Sequence, residues 1–473
     1  MATLNDSDQA GRRRVAHDTH QGRCELAQTL LRVAEVTRIL GRHVARTVAA
    51  LVRRRRARSN RAVTVSQIAA IELSNALAEL GPTFIKLGQV LSTRPDLVPP
   101  VFEDALAILQ DSAPTVPVAE IHAALHAALG SAACTTFRSF TDNPLAAASI
   151  GQVHAATLQD GRQVVVKVRR PGVNAQVDVD LAILRRVARA LCAIPGPARQ
   201  LDLVGFVGEF DATIRAELDY LAEGANADRL RPFLSLRGVH VPTVIWPLTT
   251  TDVLTLERIY GAKIDDLPGL DALNVNRRQL ARSFAEAYLS MVFVNGVYHA
   301  DPHPGNLFVE ATGRVAMVDF GMVGTLAPAV RGALVEILLA LSTGDLARSA
   351  RALHQLGVVP TDVDEQQFSA ALAQLTEATV DVPVRDIRLG PLLMQFMAVS
   401  RRHHLRFPRE LALLVKTIVM CEGLAAKLDP EFSLAPIIAP FVASTFHASE
   451  GTSGAEISDQ HGGADDGQGS IPR

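Results

Sequence analysis

Tyr298-His299-Ala300-Asp301-Pro302-His303-Pro304-Gly305-Asn306, followed by Val318-Asp319-Phe320-Gly321, is the most informative stretch of this chain. It sets an Asp, an Asn five residues on, and a second Asp thirteen residues after that. Either piece alone means little. Together, at this spacing, they match an arrangement that holds a catalytic carboxylate and two Mg²⁺ ligands around nucleotide phosphates. Asp301 is therefore the expected base or alcohol-orienting group, and Asn306 and Asp319 are the expected Mg²⁺ ligands. Mg²⁺ takes hard oxygen donors and keeps water, so two protein oxygens beside phosphates suffice. His299 and His303 also admit a transition-metal reading, but that reading leaves Asp319-Phe320-Gly321 unexplained.

Upstream, Lys167 is the one cation in the β-branched run Val164-Val165-Val166-Lys167-Val168. Burying an unpaired ammonium is expensive, so it needs anionic company. In a kinase that company is the α/β-phosphates and a helix glutamate. The plain alternative is an edge-strand lysine facing solvent. The position of Lys167, eighteen residues after the small-residue loop Ala146-Ala147-Ala148-Ser149, favours the phosphate role. That loop stands where a glycine-rich phosphate loop would. Alanine resists positive φ and close approach, so the loop should be stiffer than its glycine counterpart. Carboxylates are offered by Glu217-Leu218-Asp219-Tyr220-Leu221-Ala222-Glu223. As one helix this segment puts Asp219 and Glu223 on a shared face, with Glu217 about 120° from Glu223, so that it could serve two cations.

The 473 residues are 48% apolar and 20% charged, which suits a globular protein of two or three structural units. Four scattered cysteines (Cys24, Cys134, Cys192, Cys421) form no Cys-x-x-Cys pair, so a reducing cytoplasm is expected. No apolar run is long enough to span a bilayer, the nearest, Leu434 to Phe446, being broken by Pro436 and Pro440. The net charge of −2 hides fourteen Arg against five acids in residues 1–62. A basic end of this kind could meet anionic lipid; nucleic acid is not expected as a partner.

Residues 1–22 read as disordered. From Leu26 a stripe of Leu26, Leu30, Val33, Thr37, Leu40, Val44, Val48 and Leu51 predicts an amphipathic helix within 26–58. Packing of this stripe against the rest of the protein is the favoured expectation, and peripheral membrane contact the alternative. Arg53 to Arg56 read as an exposed basic turn. A helix over Val65 to Leu80 stops at Gly81-Pro82 and leads into another carrying Lys86 and Gln89. Asp160-Gly161 joins two strands, Ile150 to Leu158 and Arg162 to Val168, with later strands near Val239 to Pro247 and Val253 to Tyr260. Helical patterning returns over Arg277 to Phe293 and from Pro328 to Leu428.

The expected organisation is a disordered start and basic helix (1–62), a helical extension (63–133), a small β-rich lobe with inserted helices (134–262), a helical lobe (263–447) and a disordered acidic tail (448–473). The fold class is α+β, a bilobal kinase-like layout with an N-terminal helical extension.

On these residues the chain resembles the UbiB/AarF-type atypical kinase family, bacterial relatives of proteins that support ubiquinone biosynthesis. The resemblance rests on Lys86-Leu87-Gly88-Gln89 with Ser92-Thr93-Arg94-Pro95-Asp96, the alanine-rich loop, Glu217-x-Asp219, and the His-x-Asp-Pro-His-Pro-Gly-Asn run. It implies that Lys167 pairs with Glu223, and that Lys86 and Gln89 of the extension fold over the active site toward Glu217 and Asp219. It further implies that the strand reaching Glu257 and Ile259 receives adenine. ATP or ADP with Mg²⁺ would be the cofactors, and a hydrophobic small molecule or lipid the partner. Lys86 lying where a protein substrate would dock, and the lack of an Ala-Pro-Glu motif after Asp319, argue against general protein phosphorylation. The alternatives are a nucleotide-binding scaffold for a biosynthetic complex and a small-molecule phosphotransferase.

Overall fold

The computed structural model describes residues 5–56, 64–92, 98–111, 115–130, 135–194, 202–343, 345–358, 373, 388–402, 408–438 and 440–441. Expectations for Thr93 to Asp96, for most of 359–387 and for the tail after 447 lie outside them. The chain forms two compact units, Met1–Gly224 with Val244–Arg258, and Ala225–Thr243 with Ile259–Arg473.

The first unit opens with one long helix, α1 (Asn5–Arg56). It starts well before Leu26 and carries Arg53 to Arg56 as its last turn rather than as a separate basic turn. The reason is chemical: the segment is polar, which argues against a core, but it has no proline to stop a helix.

The face of α1 that packs is also not the expected one. Leu30, Val33, Leu40, Val44 and Val48 are exposed, while Val36, Ile39 and His43 are buried. Polar anchors set this rotation. His43 bonds Glu72 at 2.6 Å and Glu79 at 3.3 Å, and Arg32 donates to Asp180 at 2.8 Å and to the Leu80 carbonyl at 2.6 Å.

Next come α2 (Val65–Leu80) and α3 (Pro82–Leu91). Thr64 and Gln67 form a reciprocal capping box at the start of α2. At the other end Gly81, with φ 93°, makes the break before Pro82. Gly88 on α3 is a packing requirement, since a Cβ there would sit 2.3 Å from the Leu109 side chain. The helices α4 (Pro100–Ala107) and α5 (Val118–Leu129) complete the extension.

The strands β1 (Phe137–Phe140), β2 (Ala146–Ala147), β3 (Gly151–Leu158) and β4 (Gln163–Arg169) follow, then the helices α6 (Val173–Ala193), α7 (Leu203–Glu217) and α8 (Tyr220–Ser235), and then β5 (Val253–Glu257). All five strands form one antiparallel sheet, in the order β1-β3-β4-β5 with β2 on β3. One face of this sheet buries Val164, Val166 and Val168 with Ile121 and Leu125 of α5. A separate core joins the extension to α6 and α7 through Leu77, Phe84, Leu106, Val177 and Phe210.

The segment Val239 to Pro247 is not a strand. Only the isolated bridges His240 to Ala316 and Val244 to Leu256 occur there. Pro242 and Pro247 remove the amides a ladder would need.

The second unit contains β6 (Ala262–Lys263), α9 (Leu267–Ala272), α10 (Arg277–Leu289), β7 (Val297–His299), β8 (Leu307–Val309), β9 (Val315–Met317) and β10 (Val323–Thr325). It continues with α11 (Pro328–Thr343), α12 (Leu346–Gln355), α13 (Leu389–Arg402) and α14 (Arg409–Leu428). Its five short strands were not expected, because two or three residues carry no readable period. They form a β6-β8-β9 sheet and a β7-β10 pair. No helix among the described residues is long and apolar enough to cross a membrane.

Candidate active site

Lys167 sits on the central strand β4, opposite Val153 of β3 and Leu254 of β5. The pleat turns it away from the core valines at 164, 166 and 168. Its ammonium donates to both oxygens of Glu223, at 2.9 and 2.8 Å, and lies 5.1 Å from the centre of the Tyr220 ring. Tyr220 fits because residue 151 is glycine, where a Cβ would stand 2.2 Å from the phenol oxygen.

The segment Glu217 to Glu223 is not one helix. α7 ends at Glu217, and α8 begins at Tyr220. Asp219 causes the break, accepting the amides of Leu221 at 3.0 Å and Ala222 at 3.2 Å as a helix cap. Two carboxylates do reach two cations, but from opposite sides of this break. Lys86 is ion-paired with Glu217, and Lys167 with Glu223. The other two residues expected at the extension contact are engaged elsewhere. Asp219 caps α8, and Gln89 donates to the Leu109 carbonyl of a 3₁₀ turn at 3.0 Å.

The alanine-rich loop is a tight hairpin. Ala146 pairs with Val153, Ala147 pairs with Gln152, and the Ala148 amide donates to the Gly151 carbonyl at 2.8 Å. The Ala148 carbonyl accepts from Arg170 at 2.9 Å. Residues 146–149, Ser149 included, all have negative φ, so the hairpin forms without the left-handed geometry a glycine loop would use. Glu257 ends β5 opposite Val164, and Ile259 opens the next stretch of the second unit.

In the second unit, the β7-β10 pairing sets His299 opposite Val323, and the Ala300 amide donates to the Met322 carbonyl at 2.9 Å. Asp301 follows, and a 3₁₀ turn over Pro304–Asn306 brings the chain back. The Asn306 side-chain amide then donates to the Asp301 backbone carbonyl at 3.3 Å and to its carboxylate at 3.4 Å. The Val318 amide bonds the Asn306 carbonyl at 3.1 Å, which ties the second acid to the same loop. Asp319 accepts the Gly321 amide at 3.0 Å, and Asn226 of α8 donates to the Phe320 carbonyl at 3.1 Å.

His299 is a structural clamp. Its Nδ1 accepts the Asp301 amide at 3.3 Å, so its Nε2 carries the proton and donates to the Asp319 carbonyl. Tyr288 lies 3.3 Å from the same Nδ1, and burial holds its phenol well above the usual range, in the donor form. His303 Nδ1 accepts the Gly305 amide at 3.1 Å. Both histidines thus commit Nδ1 to the loop backbone, and among the described residues no cluster of three or more His, Cys, Asp or Glu completes a transition-metal site. Asn306 turns its NH₂ toward Asp301, so its carbonyl oxygen and the Asp319 carboxylate are the hard donors suited to Mg²⁺.

One neighbour of Asp301 was missed. Lys416, on α14, donates to Asp301 Oδ1 at 3.0 Å. The signal was present: like Lys167, Lys416 is a lone cation in an apolar run, Leu411-Ala412-Leu413-Leu414-Val415-Lys416-Thr417-Ile418-Val419-Met420.

Comparison with known proteins places the chain in a family. The ABC1 atypical kinase-like domain matches residues 108–353, and the UbiB helical domain matches 372–433. The probable protein kinase UbiB of Marinobacter nauticus is 37% identical over 384 residues, covering 80% of this chain and 70% of its own length. That of Azotobacter vinelandii is 38% identical over 378 residues, covering 79% and 70%. Among solved structures, Rv3197 of Mycobacterium tuberculosis, determined in complex with erythromycin, aligns with a TM-score of 0.52 at 25% identity, over 75% of this chain and 90% of that one. With one domain match covering just over half its length and relatives of this identity matched over 70% of their own length, the chain belongs to the UbiB family of ABC1 atypical kinase-like proteins.

Proposed function

We propose that this chain binds Mg·ATP, releases or transfers its terminal phosphate, and acts in or regulates lipid or quinone metabolism, ubiquinone biosynthesis being the first candidate. The observation that carries this reading is the loop in which Asp301 is held by Asn306 and Lys416 while Asp319 is tied to the same backbone. Asn306 and Asp319 would hold the metal, and Lys167 would meet the α- and β-phosphate oxygens of ATP or ADP. When bound, magnesium would neutralise the phosphate oxygens on which charge develops. Asp301 orients the attacking hydroxyl or water. The Ala146 to Ser149 hairpin would lie over the phosphates, and Glu257 and Ile259 beside the adenine.

A hydrophobic small molecule or lipid is the partner this reading favours. Its supports are the UbiB relatives and the erythromycin complex of the Mycobacterium tuberculosis protein. The exposed apolar stripe of α1, in an Arg-rich segment, would bring the protein to the inner face of the cytoplasmic membrane. A scaffold that binds nucleotide without turning it over is the second reading. It is favoured by the hairpin, where the Ala148 amide is already spent on Gly151.

The test is phosphate release from Mg·ATP by the purified full chain. Asp319→Asn should lower it at least about a hundredfold, and EDTA should abolish it. ATP binding with no release by the wild type replaces the enzyme with the scaffold.

A further inference from the structure

Three contacts from less than two turns of α14 fall on consecutive parts of the Asp301 loop. The Tyr298 hydroxyl donates to the Glu410 carbonyl at 3.2 Å, the Thr417 hydroxyl donates to the Ala300 carbonyl at 3.2 Å, and the Lys416 ammonium donates to Asp301 Oδ1 at 3.0 Å. Burial keeps the Tyr298 phenol protonated, since its pKa lies far above the usual value. Lys416 and Asp301 are both largely withdrawn from solvent, with side chains 14% and 29% exposed.

A helix that only needed to cover an apolar surface would place Leu or Ile at 416. The ammonium costs desolvation, and the carboxylate that accepts its hydrogen bond among the described residues is that of Asp301. Asn306 reaches the same carboxylate through Oδ2, so its two oxygens are held by different partners and its rotamer is fixed. Asp301 lies in the segment matching the kinase-like domain and Lys416 in the one matching the helical domain.

We propose that Lys416 is a positioning residue for phosphoryl transfer, through which the helical domain holds the Asp301 carboxylate in its working orientation; this rests on the ATPase reading above. In the step served, the attacking water oxygen forms a bond to the terminal phosphorus while the bond from phosphorus to the bridging oxygen breaks. The electron pair leaves on ADP, and the proton of the water passes to Asp301 and then to solvent. Lys416 keeps the accepting oxygen aimed at that water, and it is not a nucleotide-binding group.

The experiment compares phosphate release and Mg·ATP affinity for wild type, Lys416→Met, Lys416→Arg, Asp301→Asn and Asp301→Asn with Lys416→Met, all as full chains with melting temperatures recorded. Lys416→Met should lower kcat about ten- to a hundredfold, the scale of a mispositioned group, with KM for ATP within about twofold of wild type. Lys416→Arg, which keeps the donor, should recover part of the loss. In the Asp301→Asn background, Lys416→Met should have no further effect on kcat. An unchanged kcat in Lys416→Met overturns the proposal. So does a loss expressed in KM, or one that adds in full to that of Asp301→Asn. Should Lys416→Met not fold, Lys416→Arg and Lys416→Gln decide it: activity equal in the two shows that the ammonium does nothing specific. A wild type that binds Mg·ATP without releasing phosphate instead sinks the ATPase reading, and this inference with it.

Discussion

Two lysines bring positive charge to candidate catalytic groups, and each unit neutralises its own differently. Lys167, on a strand, grips both oxygens of Glu223, whose side chain is only 3% exposed. Lys416, on a helix, touches one oxygen of Asp301, which is 29% exposed and shares its other oxygen with Asn306. The first pair is gripped at two points and deeply buried, and separating that carboxylate from the ammonium is expensive. The second is a clamp on a group that must still meet a reactant. A buried two-point pair fixes the small lobe's sheet to α8, whereas the one-point pair fixes an orientation.

That difference predicts the largest stability effect in the molecule. Lys167→Met should destabilise the first unit by about 3–5 kcal/mol, the cost of stranding a buried carboxylate. Lys167→Met with Glu223→Leu should recover much of it, because an apolar pair of similar volume leaves no charge behind. Urea midpoints would read this. A double variant no more stable than the single one would mean that Glu223 is held by something other than Lys167.

A second comparison lies within α1. Ile39, 1% exposed, is in the helical core, while Leu30 and Val44 on the other stripe are 61% and 63% exposed. Ile39→Ala should cost about 2–5 kcal/mol. Leu30→Gln and Val44→Gln should each stay within about 0.5 kcal/mol of wild type, yet weaken sedimentation with anionic liposomes. Liposome binding that survives both changes would remove the membrane role from this stripe. A large loss of stability would show that the stripe packs after all.

The same two stripes explain what could and could not be read from the residues. Helix α2 was legible because Gly81-Pro82 stops it, and the β3–β4 hairpin because Asp160-Gly161 turns it, with φ 87° at Gly161. Lys167 could be read because a strand has two faces, and one cation among valines is conspicuous. The rotation of α1 could not: both Leu30-Val33-Leu40-Val44 and Val36-Ile39-His43 keep helical spacing, and the longer run is the more apolar. What decided between them was His43 with Glu72 and Glu79, and Arg32 with Asp180, pairings made across 29 to 148 residues. Asp219 keeps the spacing of a helix face, yet its short side chain is a cap. The 115-residue separation of Lys416 from Asp301 hid the remaining partner of the site.

The smallest effect concerns acid stability, and it sets a buried histidine of the sheet against the exposed surface. Burial holds the imidazole of His154 below its ordinary value of 6.5, against the opposing pull of the Thr141 carbonyl, which accepts from Nδ1 at 2.8 Å. Nε2 then accepts from the Gln152 amide at 3.3 Å, a contact that a second ring proton would turn into a clash of donors. In the unfolded chain the ring takes its proton at the ordinary value. The unfolded state therefore binds more protons at acid pH, and the contribution of His154 is complete above about pH 6.5 and is lost as pH falls from there through the lower folded value. Between pH 7.5 and 5 the wild type should lose more of its melting temperature than His154→Leu does, even if the variant starts lower. Parallel curves for the two proteins would mean that the ring can be protonated in place, and that the Phe140 ring stacked 4.9 Å away, not the hydrogen-bond pair, is what holds it in the sheet.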